Sequence, residues 1–474
     1  MSSLSHQCPL CAATDTEYEF QIRNQNLRRC LSCELLFAVP FPGVADAGSG
    51  VASTEEYTED APSSRAVHPE RLLDRLQQYN TGKLRRVVVA GAGAHELLIS
   101  ARAQGIESHE WMSGDALEAN VDGCALLDVF GVAAHPEAQL AEVHQLLKSG
   151  GMLLLTLPML DSVQARRQKR NWSGFSVRRA AYFDIHSLSS LLVRYGFCDI
   201  RNWPGDMGSV VICRKAESDK ENRLPRLSVV LPVYNEEATC KELIDAVLAK
   251  RIEGVEREVV IVESNSTDGS REIVKRYEAH PDVHVVYEEQ PRGKGHAVRN
   301  GMSHASGEIL LIQDADLEYD IEDYDALLEP LLARRRLFVL GSRHKGNWKM
   351  RQFNDRRWLG SVFNVGQIFF TWLINVTCGT ELKDPFTMYK VFHRECLYGL
   401  RLEADRFDLD WEIVIKFVRK GLIPREIPVN YVSRSFTEGK KVRPLLDPIL
   451  WLRALVRFRY GPLFESDDTV RRAP

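Results

Sequence analysis

The chain of 474 residues is defined first by what it lacks. It has no dominant charge: 61 Lys and Arg against 65 Asp and Glu leave a net charge of −4, so nothing in bulk draws it to nucleic acid, and no nucleic-acid partner is expected. Its first residues, MSSLSHQCPL, carry neither a basic n-region nor an apolar h-region, so no secretory signal is read. There is no internal repeat and no P-loop, since GxxxxGK[ST] is absent. Nor is there an uninterrupted apolar run. Trp358 to Thr380 is uncharged and long enough to span a bilayer, for which about 20 residues suffice. However, Asn364, Gly366, Gln367, Thr371 and Asn375 break it, and a span would bury those amides at high cost. It reads as a buried or interfacial helix. Finally, the ten cysteines form no disulfide framework. Six of them (Cys124, Cys198, Cys213, Cys240, Cys378, Cys396) stand singly, which points to a reducing, cytoplasmic compartment.

What is present is organisation. The length suits two or three domains of roughly 100–200 residues each. Residues 1–43 form a small cysteine module and 45–65 a small, polar, acidic linker. Residues 66–215 alternate strand and helix patterns, 216–225 are a charged linker, and 226–462 alternate again. Such alternation predicts an α/β protein with two Rossmann-like three-layer domains behind a small N-terminal module.

The remaining four cysteines pair as Cys8-x-x-Cys11 and Cys30-x-x-Cys33, 18 residues apart. Two such knuckles suit a tetrahedral Zn²⁺ bound by four soft thiolates, and a closed set of four leaves no open position, so the role is structural. A redox pair would not need the second knuckle.

In the middle block a strand, Arg86–Ala90, runs into Gly91-Ala92-Gly93 and a helix. A strand at Ala125–Val129 follows, and later LLKSGG leads into the strand Met152–Leu157. Together with the tail AYFDIHSLSSLLVRYGF, this block resembles the class I methyltransferases that bind S-adenosylmethionine, some of which follow cysteine ribbons. The binding chemistry is degenerate. The acid before the glycine turn is missing, His95 replaces the last glycine, and the ribose-binding acid is replaced by Met112 and Ser113, with only Asp115 nearby. A cofactor-free scaffold is the first expectation, and a fusion that also methylates a sugar is the second.

In the last block the apolar strand Leu227–Leu231 runs into Pro232-Val-Tyr234-Asn235-Glu236-Glu237. Asn235 is placed to cap the following helix. The strand Glu258–Val262 ends in Glu263, followed by the turn SNSTDGS. An acid at a strand end accepts hydrogen bonds from a base or ribose, whereas Asp268-Gly269 reads as turn chemistry. Arg292-Gly293-Lys294-Gly295 opens a helix in a way that suits a phosphate. The sharpest signal is Ile309-Leu-Leu-Ile-Gln313-Asp314-Ala315-Asp316-Leu317-Glu318. An apolar strand delivers two aspartates two positions apart, on one face if the segment is extended. Side by side they repel unless a hard cation such as Mg²⁺ or Mn²⁺ lies between them, and such a cation clamps a diphosphate.

Residues 226–440 resemble the family-2 inverting glycosyltransferases of GT-A fold, nearest to the dolichol- and polyprenyl-phosphate sugar synthases. The matching segments are PVYNEE, ESNSTDGS, GKGHAVRNG, QDADLEYD, GSR, DPFTMYKVFHREC and FDLDWEIVIKFVRKGLIPREIPVNYVSRSFTEGKKV. The resemblance implies a nucleotide-sugar donor held by Pro232, Tyr234, Glu236, Glu263 and Lys294. It implies a metal on Asp314, Asp316 and Glu318, and phosphate contacts from Arg343 and Arg357, with Arg434 and Lys440 adding charge. Many relatives carry Asp where this chain has Glu263. The acceptor implied is a polyprenyl phosphate or a cell-envelope glycan. A hydroxyl acceptor requires a base, for which Asp410 is the candidate. A lipid phosphate requires none. A non-catalytic binding protein is the remaining alternative, and the intact Asp314/Asp316 pair argues against it. Peripheral contact with the cytoplasmic face of a membrane is expected from residues 358–380 and from Pro448–Tyr460, where Arg453, Arg457 and Arg459 alternate with Trp451, Leu455 and Phe458.

Overall fold

The computed structural model describes residues 7–39, 69–80, 82–112, 119–132, 135–205, 208–217, 223–343, 357–432 and 447–464, with the side chains at 69, 357–365 and 447–450 excepted. Ser113, Asp115, Arg434, Lys440, the linker at 45–65, most of that at 216–225 and the side chain of Arg357 therefore lie outside the described residues. The chain divides into two compact units, Met1–Asn222 and Arg223–Pro474.

The first unit runs β1 (Thr16–Ile22), β2 (Gln25–Cys30), β3 (Leu36–Val39), α1 (Pro69–Tyr79), β4 (Arg86–Gly91), α2 (Ala94–Ala103), β5 (Glu107–Glu110), β6 (Val121–Leu127), α3 (Pro136–Leu146), β7 (Leu147–Leu157), α4 (Val163–Gln168), β8 (Ala181–Tyr182), α5 (Ile185–Arg194), β9 (Phe197–Pro204) and β10 (Ser209–Lys215). It holds two sheets, ordered β1-β2-β3-β8 and β5-β4-β6-β7-β10-β9. In the larger sheet β5, β4, β6 and β7 are parallel, and β10 runs antiparallel between β7 and β9. β6 is buried along its whole length and β4 and β7 over most of theirs, as strands covered on both faces must be, which is why they read as continuous apolar runs. Gly91 is needed where β4 turns. Its φ is +99°, and an added Cβ would lie 2.0 Å from the Leu127 carbonyl oxygen.

The second unit runs β11 (Arg226–Val233), α6 (Cys240–Ala249), β12 (Glu256–Glu263), α7 (Ser270–Lys275), β13 (Val283–Tyr287), α8 (Lys294–His304), β14 (Ile309–Ile312), α9 (Tyr324–Leu332), β15 (Phe338–Ser342), α10 (Arg357–Cys378), β16 (Lys390–His393), α11 (Leu409–Arg419), β17 (Arg425–Pro428) and α12 (Asp447–Tyr460). These strands make one sheet of order β13-β12-β11-β14-β16-β15-β17, in which β16 alone is antiparallel to its neighbours. The α/β class expected for this unit holds. β14 stops pairing with β11 at Val230↔Ile312, whereas β12 follows β11 to Val233↔Glu263. A crevice therefore opens beyond the end of β14, at the carboxyl ends of parallel strands, where such sheets bind ligands. Pro232 is tolerated in this central strand because it lies past the last residue paired with β14, so its missing N–H breaks no ladder on that side.

One local expectation differs from the structure. α6 begins at Cys240, and Asn235 does not cap it. Asn235 has φ +55°, and its side-chain oxygen accepts the Thr267 amide at 2.8 Å. It ties the loop after β11 to the loop after β12. No helix long and apolar enough to cross a membrane is found among the described residues.

Candidate active site

The end of β14 sets the site. Ile309–Ile312 are buried, and the chain then alternates: Asp314 half-buried, Ala315 buried at 3% exposure, Asp316 half-buried. Both acids thus avoid the core side taken by Ala315. The Thr239 hydroxyl donates to the Ala315 carbonyl at 2.7 Å, and the Tyr324 hydroxyl donates to Gln313 at 3.1 Å, so the backbone carrying the acids is anchored from two sides. Leu317 takes φ +57°. This turn lets the Glu318 amide donate to Asp316 at 3.2 Å. The Glu318 carboxylate turns to the Tyr431 hydroxyl, 2.9 Å away.

Lys294, at the start of α8, places its ammonium 2.5 Å from Asp314. Burial works against that charge, but Asp314, Asp410 and Asp316 outweigh it and hold the ammonium pKa above its ordinary value. The glycines beside it serve packing: a Cβ at Gly293 or Gly295 would lie 2.4 or 2.6 Å from the backbone oxygens of Asp405 or Arg406. The His296 amide donates to the Asp405 carbonyl at 3.0 Å. The first turn of α8 therefore rests on the 404–406 segment and presents its lysine to the acids.

Asp410 is 8% exposed in the first turn of α11. It meets the ammonium of the fully buried Lys390 at 3.2 Å. Burial raises the Asp410 pKa against the pull of Lys390 and Lys294, and burial lowers that of Lys390. Glu412 faces away. Its carboxylate accepts the amides of Glu403 and Ala404 and pairs with Lys416 at 2.7 Å.

Arg343 is bound in a two-pronged ion pair to Asp384, with Nε to Oδ2 at 2.8 Å and a terminal nitrogen to Oδ1 at 2.7 Å. Gln367 of α10 adds a third contact to Asp384 at 3.0 Å. The fork expected to meet phosphate is thus already filled, and the guanidinium lies over the Tyr431 ring, 5.4 Å from its centroid.

Glu263 also differs from its expected place. It is fully buried, and its carboxylate accepts the amides of Ser266 at 2.7 Å and Asn265 at 3.3 Å, with Arg271 at 3.4 Å. It organises its own loop and shows no surface. Asp268 accepts the amides of Ser270 and Glu237, the turn role read for it. The Glu236 amide donates to the Ser270 hydroxyl at 2.8 Å, so the two loops form one cross-braced wall. Tyr234 is one of its exposed members.

The structure thus brings Asp314, Asp316, Lys294 and Asp410 together, with Glu318 and Arg343 held at the rim by Tyr431. Sequence reading missed Asp384 and Lys390. The signal for both was a charged residue inside the apolar stretch DPFTMYKVF, where burial requires a partner. The donor set is oxygen-rich and acidic, which suits a hard divalent cation. Among the described residues, however, these acids do not converge as a ready-made group of three ligands.

The four N-terminal cysteines do converge, with all four sulfurs within 4.8 Å of one another. Cys8 and Cys33 are 3.4 Å apart, and Cys11 and Cys30 are 3.5 Å apart. The two knuckles repeat each other: Ala12 donates to the Cys8 carbonyl and Glu34 to the Cys30 carbonyl, and both donors have positive φ, +57° and +63°. The separations approach those of a tetrahedron with Zn–S of about 2.3 Å. The Cys33 thiol holds Cys8 down to about 6, while burial pushes Cys11 up to about 11. Such a cluster accepts a soft cation.

In the larger sheet of the first unit, the end of β5 carries Trp111, 2% exposed, where an acid would be needed for a ribose. At the end of β6, Arg179 donates to the carbonyls of Phe130 at 2.6 Å and Asp128 at 3.2 Å, and Phe130 stacks on Phe183. His95 is exposed on the first turn of α2.

An acid pair lies at the crevice of a largely parallel sheet, braced by two polar loops, where sheets of this kind bind ligands. Residues 228–399 match the family described as Glycosyl transferase family 2, so the second unit carries a family-2 glycosyltransferase domain. A dolichol-phosphate mannosyltransferase of Pyrococcus furiosus is 26% identical over 217 residues, which are 45% of this chain and 59% of that protein. The match thus covers less than two thirds of that relative. The human dolichyl-phosphate β-glucosyltransferase is 26% identical over 256 residues, covering 50% of this chain and 76% of the human one. Among solved structures, a glucosyl-3-phosphoglycerate synthase of Mycobacterium tuberculosis in complex with Mn²⁺, UDP-glucose and phosphoglyceric acid aligns with 20% identity and a TM-score of 0.38, covering 50% of this chain and 81% of that one.

Proposed function

We propose that the chain is an inverting, divalent-cation-dependent glycosyltransferase that moves a sugar from a nucleotide-sugar donor to a polyprenyl phosphate. The carrying observation is the convergence of Asp314, Asp316, Lys294 and Asp410 at the end of β14, the first three of them inside the family-2 match. The named activities of the Pyrococcus and human relatives support the lipid-phosphate acceptor. A cell-envelope glycan hydroxyl is the other acceptor class.

Asp314 and Asp316, with Glu318 beside them, would hold Mg²⁺ or Mn²⁺. Its chemistry there is to neutralise the departing nucleoside diphosphate. Mg²⁺ sites of this kind use one or two carboxylates and complete their shell from phosphate and water, which suits a pair rather than a closed cage. Lys294 neutralises Asp314 before the donor arrives and then offers its charge to the diphosphate. Arg343, aimed by Asp384, contributes positive charge, and Arg357 is the second arginine that the family resemblance assigns to phosphate. Pro232, Tyr234 and Glu236 wall the nucleotide, and Glu263 holds that wall in shape from behind. With a lipid phosphate the acceptor oxygen is already anionic. With a hydroxyl, Asp410 takes the proton, and its raised pKa makes it a stronger base than an ordinary aspartate.

In the first unit the four cysteines hold a structural Zn²⁺. The methyltransferase-like sheet serves as a cofactor-free scaffold, since Trp111 and Arg179 fill the strand ends that S-adenosylmethionine would need. The test is a panel of nucleotide sugars with polyprenyl phosphate and Mn²⁺, read by release of free nucleoside diphosphate. Acceptor-dependent release with one donor supports the reading. No release across the panel, with no thermal shift from any nucleotide, overturns it.

A further inference from the structure

The turn that opens α11 carries an aromatic side chain that the core leaves out. Along Phe407-Asp408-Leu409-Asp410-Trp411, Leu409 and Trp411 are buried at 2% and 3% exposure, whereas Phe407 is 53% exposed. A single exposed apolar side chain is ordinary on a protein surface. This one is set apart by the backbone that carries it, which is bolted down. The Glu403 and Ala404 amides donate to Glu412 at 2.9 and 2.8 Å. Arg299 of α8 donates to the Ala404 carbonyl at 3.1 Å, and the His296 amide donates to that of Asp405 at 3.0 Å. The Arg406 amide donates to the Asp408 carboxylate at 3.1 Å, and the Leu409 amide closes the turn on the Arg406 carbonyl at 3.2 Å. The exposure of Phe407 is therefore built into the turn.

The ring also stands at the crevice. The Lys294 ammonium, which meets Asp314, lies 5.9 Å from the Phe407 ring centroid. Asp410, on the next turn of the same segment, feels the charges of both Lys294 and Asp314. We infer that Phe407 is the platform on which the sugar ring of the donor lies, and so a determinant of which sugar is accepted. In a nucleotide sugar the pyranose is bonded directly to the outer phosphate, so a diphosphate held at Asp314 and Lys294 brings that ring to the neighbourhood of the phenyl group. A pyranose has an apolar face where its axial C–H bonds gather, polarised positive, and a phenyl face carries the negative lobe of its quadrupole. The two stack, and an axial hydroxyl on that face lifts the sugar away, which is how a flat ring discriminates between epimers. Ligand sites join an aromatic lining to a few placed polar groups. The acids and Lys294 are the polar groups here, and Phe407 supplies the aromatic surface. The base is assigned in the reading above to the loops after β11 and β12, on other elements. The inference rests on that reading and deepens it by naming what reads the sugar.

The test is isothermal titration of the full chain in Mn²⁺ with a panel of nucleotide sugars that includes UDP-glucose and GDP-mannose, each beside its free nucleoside diphosphate. For the donor that the wild type binds, Phe407→Ala is expected to weaken the nucleotide sugar about five- to tenfold, the scale of one aromatic contact, and to leave the free diphosphate within about twofold. Retained diphosphate binding also shows that the variant folds. Phe407→Trp should stay within about threefold of the wild type, whereas Phe407→Leu, apolar but without a π face, should fall with the alanine variant. Equal donor affinity in the wild type and Phe407→Ala, full retention by Phe407→Leu, or an equal loss for donor and free diphosphate overturns the platform and leaves the transferase reading in place. A wild type that binds no nucleotide and no nucleotide sugar overturns the transferase reading, and the platform with it.

Discussion

Lys294 and Asp314 stand 2.5 Å apart at the mouth of the crevice, and neither is near the other in sequence. The lysine sits where a cation belongs, which makes the pair a gauge of the metal reading. In Lys294→Met the Asp314 carboxylate loses its counter-charge, and the second unit is expected to lose about 1–2 kcal/mol, less than a fully buried pair because both groups retain some exposure. Mn²⁺ should raise the melting temperature of this variant more than that of the wild type. Equal metal-induced shifts would show that Lys294 and the cation do not share a place.

Arg343 and Asp384 form a two-pronged ion pair near the site, with 7% and 0% side-chain exposure. Asp384→Asn leaves a buried guanidinium with half its acceptors, and a cost of about 3–5 kcal/mol is expected. Asp384→Glu should recover part of the stability but misplace the fork, lowering turnover more than donor affinity. Urea unfolding and kinetics with the donor identified above measure the two separately.

The first unit carries a pH signature of its own. Asp161 is buried and accepts the Ile185 amide at 2.8 Å. Burial first, then the charge of Asp184, push its pKa up to about 8 from 3.8, against a smaller pull from Arg166. Between those values the folded state keeps a proton that the unfolded state has lost, so stability falls as pH rises. This contribution is full below about 3.8 and gone once pH passes about 8. Asp161→Asn should flatten the unit's unfolding profile across that window, being close to neutral below about pH 3.8 and increasingly stabilising towards pH 8. A profile with the wild-type slope would contradict the assignment.

The cysteine cluster should carry one zinc per chain, released by a thiol-modifying reagent and detected with a colorimetric chelator. Cys30→Ser should lower the occupancy and loosen β3, whose Leu36 and Phe37 pair with Tyr182 and Ala181 of β8. Stoichiometric zinc in a variant lacking two of the four cysteines would refute the site.

The strands were legible because each is a short apolar run ended by polar residues: Ile309–Ile312 is β14, and Leu227–Leu231 lies within β11. The acids at strand ends were legible for the same reason, since a buried run must deliver its first polar residues to an edge. Side-chain commitments were not legible. Nothing in SNSTDGS says that Glu263 spends its carboxylate on Ser266, or that Asn235 crosses to Thr267 instead of capping α6. Both depend on two loops meeting in space. The pairings of Arg343 with Asp384 and of Asp410 with Lys390 join residues 41 and 20 positions apart and follow only from the antiparallel return of β16. The orientation of α10 was half legible: its uncharged sequence marked it as unusual, but which side its amides faced required the packing of Phe370 against Trp411 and Trp451.

The most direct measurement is donor turnover by Asp316→Ala in saturating Mn²⁺, with circular dichroism and zinc content matched to the wild type. Asp316 is half-buried at a turn, so its removal should spare the fold. The expected result is a loss of at least about 100-fold in nucleoside diphosphate release, the scale of removing one charge-stabilising group from a transfer site. Turnover within twofold of the wild type would contradict the claim that the acids beyond β14 form the catalytic centre.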